Sequence, residues 1–231
     1  MRRGGEPGPG RARVLVFGDS LTWGVDPGKR RRHGEDDRWP VVLDKGLGGQ
    51  VDIVTEGLPG RTTAYNDPGD VADRNGVRVL PTVLASHVPL DLVVFMLGTN
   101  DLKPHICGTA EGAAYGVAQL VRIVRTQPLI YDLTAPRALV VSPPVVRATP
   151  ATGADSLWPE RCRQAEMLAS RLQAAAEAAG AAFFDAACVA HTSDLDGVHL
   201  DAEASRAIGT ALVPVVRDLL AQPAGCAHAE T

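Results

Sequence analysis

Val14-Leu15-Val16-Phe17-Gly18-Asp19-Ser20-Leu21 passes directly from an unbroken apolar run into a short polar motif. The apolar run reads as a strand, with the polar motif placed at its carboxyl end. The same succession recurs where Val51 to Thr55 precedes Gly57 and where Leu92 to Leu97 precedes Gly98-Thr99-Asn100-Asp101. Strands are therefore expected at Arg13 to Phe17, Val51 to Thr55, Leu92 to Leu97, Ala138 to Ser142 and Ala182 to Asp185. Helix-period stretches alternate with them at Trp39 to Gly46, Val77 to Ser86, Gly112 to Arg125, Pro159 to Ala179 and Ala202 to Leu220. Gly180 suits the end of the fourth helix and Asp201 the N-cap of the fifth, while Pro214 is placed to kink the latter. Such regular alternation implies an α/β fold with a parallel sheet and helices on both faces.

A chain of 231 residues with 45% apolar residues and few aromatics is long enough for one domain with a substantial core. We expect that domain over residues 12–221, with flexible tails at 1–11 and 222–231. Net charge is −4, and the one dense basic run, Lys29-Arg30-Arg31-Arg32, is followed by Glu35-Asp36-Asp37, so no nucleic-acid partner is expected. The run reads most simply as a solvated loop. Cys107, Cys162, Cys188 and Cys226 are scattered, which argues against both a zinc site and a disulfide framework. With no signal-peptide pattern and no long apolar span, the expectation is a cytoplasmic protein without membrane association. A homo-oligomer is compatible with these features. Two long loops, Val25 to Arg38 and Pro143 to Trp158, are candidate walls of a pocket.

Open α/β sheets hold ligands outside the carboxyl ends of their strands, where Gly18-Asp19-Ser20-Leu21, Gly57 and Gly98-Thr99-Asn100-Asp101 fall. Asp196-Gly197-Val198-His199 lies just ahead of the last helix. A serine two residues past Gly18 can present its hydroxyl at the sheet edge, but an unassisted hydroxyl is a weak nucleophile and needs a base. His199 is the candidate base and Asp196 the group that orients it, since a spacing of three on a tight turn lets one loop carry both. A tetrahedral oxyanion would need donors, for which the backbone N–H groups of Ser20 and Gly57 and the side-chain amide of Asn100 are suited. Each motif alone has an ordinary reading as loop or turn chemistry. Their occurrence together, in order, at the expected strand ends is what those readings leave unexplained.

The four motifs resemble the blocks of the SGNH, or GDSL-type, hydrolases, in which Ser, Gly, Asn and His carry these same roles. Leu21-Thr22-Trp23-Gly24, Glu56-Gly57-Leu58-Pro59-Gly60-Arg61-Thr62-Thr63, Pro89-Leu90-Asp91-Leu92-Val93 and Val140-Val141-Ser142-Pro143-Pro144 are similar to the bacterial arylesterase and acyltransferase branch. The resemblance spans Arg13 to Leu220 and implies a flavodoxin-like three-layer α/β/α sandwich with a five-stranded parallel sheet. It also implies short-chain acyl or aryl esters as small-molecule substrates, a Ser acyl-enzyme, and water or an acceptor alcohol as second partner. Acyl transfer to alcohols or peroxide would accompany hydrolysis, with no metal and no cofactor. Close relatives often carry a second Trp where this chain has Val25, so substrate choice does not carry over directly.

The residues expected to form the substrate pocket are Trp23, Val25, Val145, Val198 and Leu200, with Trp39 assigned to the core and Asp19 and Asp101 to bracing their loops. An α/β-hydrolase with a Gly-x-Ser-x-Gly elbow fits less well, because Ser20 is followed by Leu21-Thr22. A non-catalytic flavodoxin-like binding module would share the fold. It would have no need of an Asp-x-x-His turn beside a Ser and an Asn.

Overall fold

The computed structural model describes residues 11–29, 31–127, 133–152 and 157–222. The expected tails fall outside these residues apart from Arg11 and Gln222, as do Cys226, His228 and part of the second long loop. The main sheet contains β1 (Ala12–Gly18), β4 (Val51–Gly57), β5 (Leu92–Met96), β6 (Arg137–Ser142) and β7 (Ala182–Asp185), in the spatial order β4-β1-β5-β6-β7. Every pairing in it is parallel; Val14, for example, stands between Ile53 and Leu92. That order is the flavodoxin-like one: from the interior β1 the chain goes to the edge strand β4, then crosses to β5 on the other side of β1 and proceeds to the far edge.

The unalternating apolar runs are explained by burial on both faces. Leu15, Phe17, Val93, Phe95 and Val140 pack with the helices α3 (Gly76–His87), α4 (Ala110–Thr126) and α5 (Trp158–Ala178). Their sequence neighbours Val14, Val16, Val94, Met96 and Val141 pack on the opposite face with α2 (Trp39–Gly46) and α6 (Ala202–Ala221). Because side chains alternate across a strand, one continuous apolar run supplies two cores. Trp39, fully buried, belongs to the second, and its backbone N–H donates to Ser205 Oγ at 3.1 Å.

Local signals set the element ends. Asp201 caps α6 by accepting from the N–H of Ala204 at 2.8 Å, and Thr109 caps α4 by accepting from that of Gly112 at 3.1 Å. Past α5, Gly180 adopts φ 75°, and the N–H groups of Gly180 and Ala181 return to the carbonyls of Glu177 and Ala176. A short antiparallel hairpin, β2 (Val25–Asp26) and β3 (Arg31–Arg32), occupies the first long loop. Among the described residues no helix is long and apolar enough to cross a membrane.

Candidate active site

The strand-end motifs converge at the carboxyl edge of the sheet. Asp19 caps the single-turn helix α1 (Ser20–Trp23), its Oδ1 accepting from the N–H of Leu21 at 2.9 Å. Ser20 therefore begins a fixed turn, and it is almost buried, at 6% exposure. Gly57 ends β4 against that turn. A Cβ there would lie 2.6 Å from the Trp23 backbone nitrogen, so a side chain would push the loops apart.

On the loop before α6, Asp196 Oδ1 accepts from the backbone N–H groups of Val198 and His199, both at 2.9 Å. Its Oδ2 accepts from His199 Nδ1 at 2.7 Å. Gly197 makes this turn possible: its φ is 69°, and a Cβ would fall 1.8 Å from the Arg147 carbonyl oxygen. With the Nδ1 proton directed to the carboxylate, Nε2 is the acceptor that faces the Ser20 hydroxyl, 3.1 Å away. Burial pushes the Asp196 carboxyl up, but the bonds from His199 and the two backbone N–H groups outweigh it and hold the group down to about 2. It is thus an anion at any ordinary pH, suited to stabilising a protonated imidazole.

Asn100, on the loop after β5, donates its Nδ2 to the Arg61 carbonyl at 3.1 Å and to Asp19 Oδ2 at 3.3 Å. Asp19 and Asp101 are both fully buried. Asp101 accepts from the Thr63 hydroxyl at 2.6 Å and from the Thr63 N–H at 3.0 Å, joining the loops after β4 and β5. Burial pushes each carboxyl up to about 6, more than the hydrogen bonds they accept pull them down. Arg61 is also buried, its guanidinium 3.9 Å over the Phe17 ring, with Nη1 donating to the carbonyl of Gly18 at 3.0 Å and to that of Glu56. Burial lowers it to about 10, still a cation at neutral pH. The two acidic residues thus brace the loops as anticipated, and Arg61 joins them.

A cavity of about 620 Å³ opens beside His199, lined by Trp23, Val25, Thr152, Trp158, Leu195 and Val198 together with Asp26, Pro27, Arg31 and Asp196. Both long loops contribute to it. Val145 and Leu200, expected in the pocket, are not in its lining. Leu200 is 2% exposed and packs into the core beside α6, with its carbonyl accepting from His33 Nε2 at 2.9 Å. Val145 is partly exposed outside the cavity, its carbonyl accepting from the Thr192 hydroxyl at 3.1 Å. Sequence reasoning missed Trp158, Leu195, Thr152, Pro27, Asp26 and Arg31, although all but Leu195 lie in the loops singled out as walls. Among the described residues no group of three His, Cys, Asp or Glu could hold a metal ion, and Cys107, Cys162 and Cys188 are free thiols.

Comparisons with known proteins bear on the family and the fold. The GDSL-like lipase/acylhydrolase family matches over residues 16–207. No curated protein matches the chain. Among solved structures, the chain is similar to a carbohydrate acetylesterase family member from Sinorhizobium meliloti, at 48% identity over 91% of this chain and 100% of that one, with a TM-score of 0.86. It is also similar to the inhibitor-bound aryl esterase of M. smegmatis, at 38% identity over 90% of this chain and 99% of that one, with a TM-score of 0.84. A lipase/acylhydrolase from Enterococcus faecalis, at 16% identity, 90% and 96% coverage and a TM-score of 0.64, shares the fold. A match over most of the domain, with two relatives at 48% and 38% identity, decides the assignment: the chain belongs to the GDSL-like lipase/acylhydrolase family of ester hydrolases.

Proposed function

We propose that the protein is a serine esterase that cleaves short-chain acyl or aryl esters through an acyl-enzyme on Ser20. The observation that carries this reading is the continuous relay from Ser20 Oγ to His199 Nε2 at 3.1 Å and from His199 Nδ1 to Asp196 Oδ2 at 2.7 Å, beside an apolar-walled cavity. In acylation Ser20 Oγ attacks the ester carbonyl carbon while His199 Nε2 takes the hydroxyl proton. Asp196 stabilises the imidazolium so formed. The tetrahedral oxyanion is held by the backbone N–H groups of Ser20 and Gly57 and by Asn100 Nδ2. Collapse returns the proton from His199 to the leaving alkoxide, and water activated by the same imidazole then cleaves the acyl-enzyme.

The acetylesterase and aryl esterase relatives support acetyl and aryl esters as the first substrates to try. The aromatic and aliphatic walls, Trp23, Trp158, Val25 and Val198, suit such groups. Because His199 supplies the base, the mechanism needs no metal, and turnover is expected to survive dialysis against a chelator. The decisive experiment is labelling with a fluorophosphonate followed by peptide mapping, alongside p-nitrophenyl acetate hydrolysis by the parent and Ser20→Ala. Label on Ser20, with turnover abolished in the variant, is the expected result; full turnover by Ser20→Ala would remove the nucleophile assignment. Co-purified flavin with no ester turnover would instead favour the binding-module reading.

A further inference from the structure

A second cavity, of about 530 Å³, adjoins the first. Asp26, Pro27, Arg31 and Leu195 line both, so the β2–β3 hairpin and the tip of the Asp196 loop form a shared wall. Charged side chains make up more of its lining than of the catalytic cavity's, which carries the Trp23, Val25, Trp158 and Val198 walls. The second cavity's carboxylates are already engaged. Asp26 Oδ1 accepts from the backbone N–H groups of Gly28 at 2.9 Å and Lys29 at 3.2 Å, while its Oδ2 lies 3.4 Å from Lys29 Nζ. Asp37 is ion-paired with Arg206, and Asp201 caps α6.

The cations are not equally engaged. Lys29 faces Asp26, and Arg32 donates Nε to the Trp23 carbonyl at 2.7 Å with its guanidinium 5.0 Å over the Trp23 ring. Arg31 is different. The hairpin register sets it directly opposite Asp26, but that carboxylate is turned to the hairpin's own N–H groups and to Lys29. Among the described residues no acceptor pairs with the Arg31 guanidinium, although it lines both cavities. An unpaired guanidinium offers a planar fork that fits a carboxylate or phosphate bidentately. The catalytic cavity by itself has the volume of a drug-sized ligand site, so a simple acetate leaves room to spare.

We propose that the ester taken by this site carries an anionic group, a carboxylate or a phosphate, that meets Arg31 at the shared wall while its carbonyl lies at Ser20. The inference rests on the serine-esterase reading and adds the substrate class to it. Lys29, Arg31 and Arg32 are matched on this cavity by Asp26, Asp37 and Asp201, so the preference rests on the unpaired Arg31 fork and not on a net positive field. Arg31 is exposed, so the preference is modest and falls with salt.

The test compares aryl acetates of one shape: 3-acetoxybenzoate, 3-acetoxyphenyl phosphate, phenyl acetate and 3-acetoxyphenyl trimethylammonium. Each kcat/KM is divided by the rate of cleavage by neutral imidazole, a nucleophile without charge, to remove leaving-group reactivity. At low salt an anionic ester is expected to exceed phenyl acetate by roughly threefold or more, and the cationic ester to fall below it. The faster of the two anions identifies the group. Molar salt and Arg31→Gln should each bring the anion-to-neutral ratio toward one, and Arg31→Lys should keep part of it. A ratio of one in the parent, or a ratio that Arg31→Gln leaves in place, overturns the inference even while phenyl acetate turnover upholds the esterase reading. Should no ester be cleaved, the esterase reading fails, and saturation-transfer NMR with 3-hydroxybenzoate against phenol still decides the anion preference. Tighter binding of the benzoate, weakened in Arg31→Gln, upholds it, and equal binding overturns it.

Discussion

Asn100 and Asp19, carried by loops that follow the adjacent strands β5 and β1, meet at 3.3 Å between Nδ2 and Oδ2, and the same amide also donates to the carbonyl of Arg61 after β4. One side chain thereby joins three loops and stands in place before any substrate arrives, the condition for a preorganised oxyanion donor. Both amide hydrogens are engaged in the resting site, and the bond to Asp19 is the longer of the two, so it is the one an oxyanion would draw on.

Replacing Asn100 with Ala is therefore expected to lower kcat by about 10²- to 10³-fold, with a smaller effect on KM. Steady-state kinetics on p-nitrophenyl acetate separate the two constants. A loss confined to KM would make Asn100 a ground-state contact.

Asp196→Asn removes the anion that fixes the proton on His199 Nδ1. An amide in its place can present N–H to the ring and favour the tautomer in which Nε2 no longer accepts from Ser20. A fall in kcat of up to about 10⁴-fold is expected, with the fold unchanged by circular dichroism. A loss of tenfold or less would mean that the carboxylate only positions the loop.

Asp101 sets a pH dependence of stability. Burial raises its carboxyl from 3.8 to about 6, so below the lower value it is protonated in both folded and unfolded chains and carries no charge penalty. As pH rises between those values the unfolded chain ionises first and stability falls; above about 6 the penalty is constant. Asp101→Asn lacks this titration. The unfolding free energy of the variant minus that of the parent should therefore rise by on the order of 2 kcal/mol from pH 4 to pH 8. Urea unfolding at both pH values measures it, and a difference independent of pH would show that the carboxyl titrates normally.

The aromatic walls also bear on acyl transfer. If the proposed acyl-enzyme forms on Ser20, an apolar alcohol that buries surface against Trp23, Trp158 and Leu195 is expected to compete with water for it. With vinyl acetate and dilute benzyl alcohol in buffer, the ratio of benzyl acetate to free acetate is expected to exceed the molar ratio of alcohol to water. Product in proportion to that molar ratio would make the enzyme a plain hydrolase. Hydrogen peroxide in place of the alcohol extends the comparison to peracid formation.

Most secondary structure was legible in the sequence because its signals are local. The helix expected at Trp39 to Gly46 is found there to the residue, and β7 likewise at Ala182–Asp185. Several ends shifted by one or two residues, and at α4 a cap gives the reason: the helix starts at Ala110 rather than Gly112, because Thr109 is the capping residue. The β2–β3 hairpin was not anticipated, since two-residue strands are too short to show a period.

The site divides along the same line. The Asp196-to-His199 turn is three residues long, and its bonds follow from backbone geometry that neighbouring residues impose, Gly197 above all. By itself, then, the sequence determined the strand ends, the turn and the residue types able to do the chemistry. Only the tertiary structure decided that Ser20 lies 3.1 Å from a histidine 179 positions away. It alone also decided that Leu200 turns into the core while Trp158 and Leu195 wall the cavity. Turns and caps are set by interactions within a few residues, whereas a cavity wall is whatever surface remains after helices and loops distant in the chain have packed on the sheet.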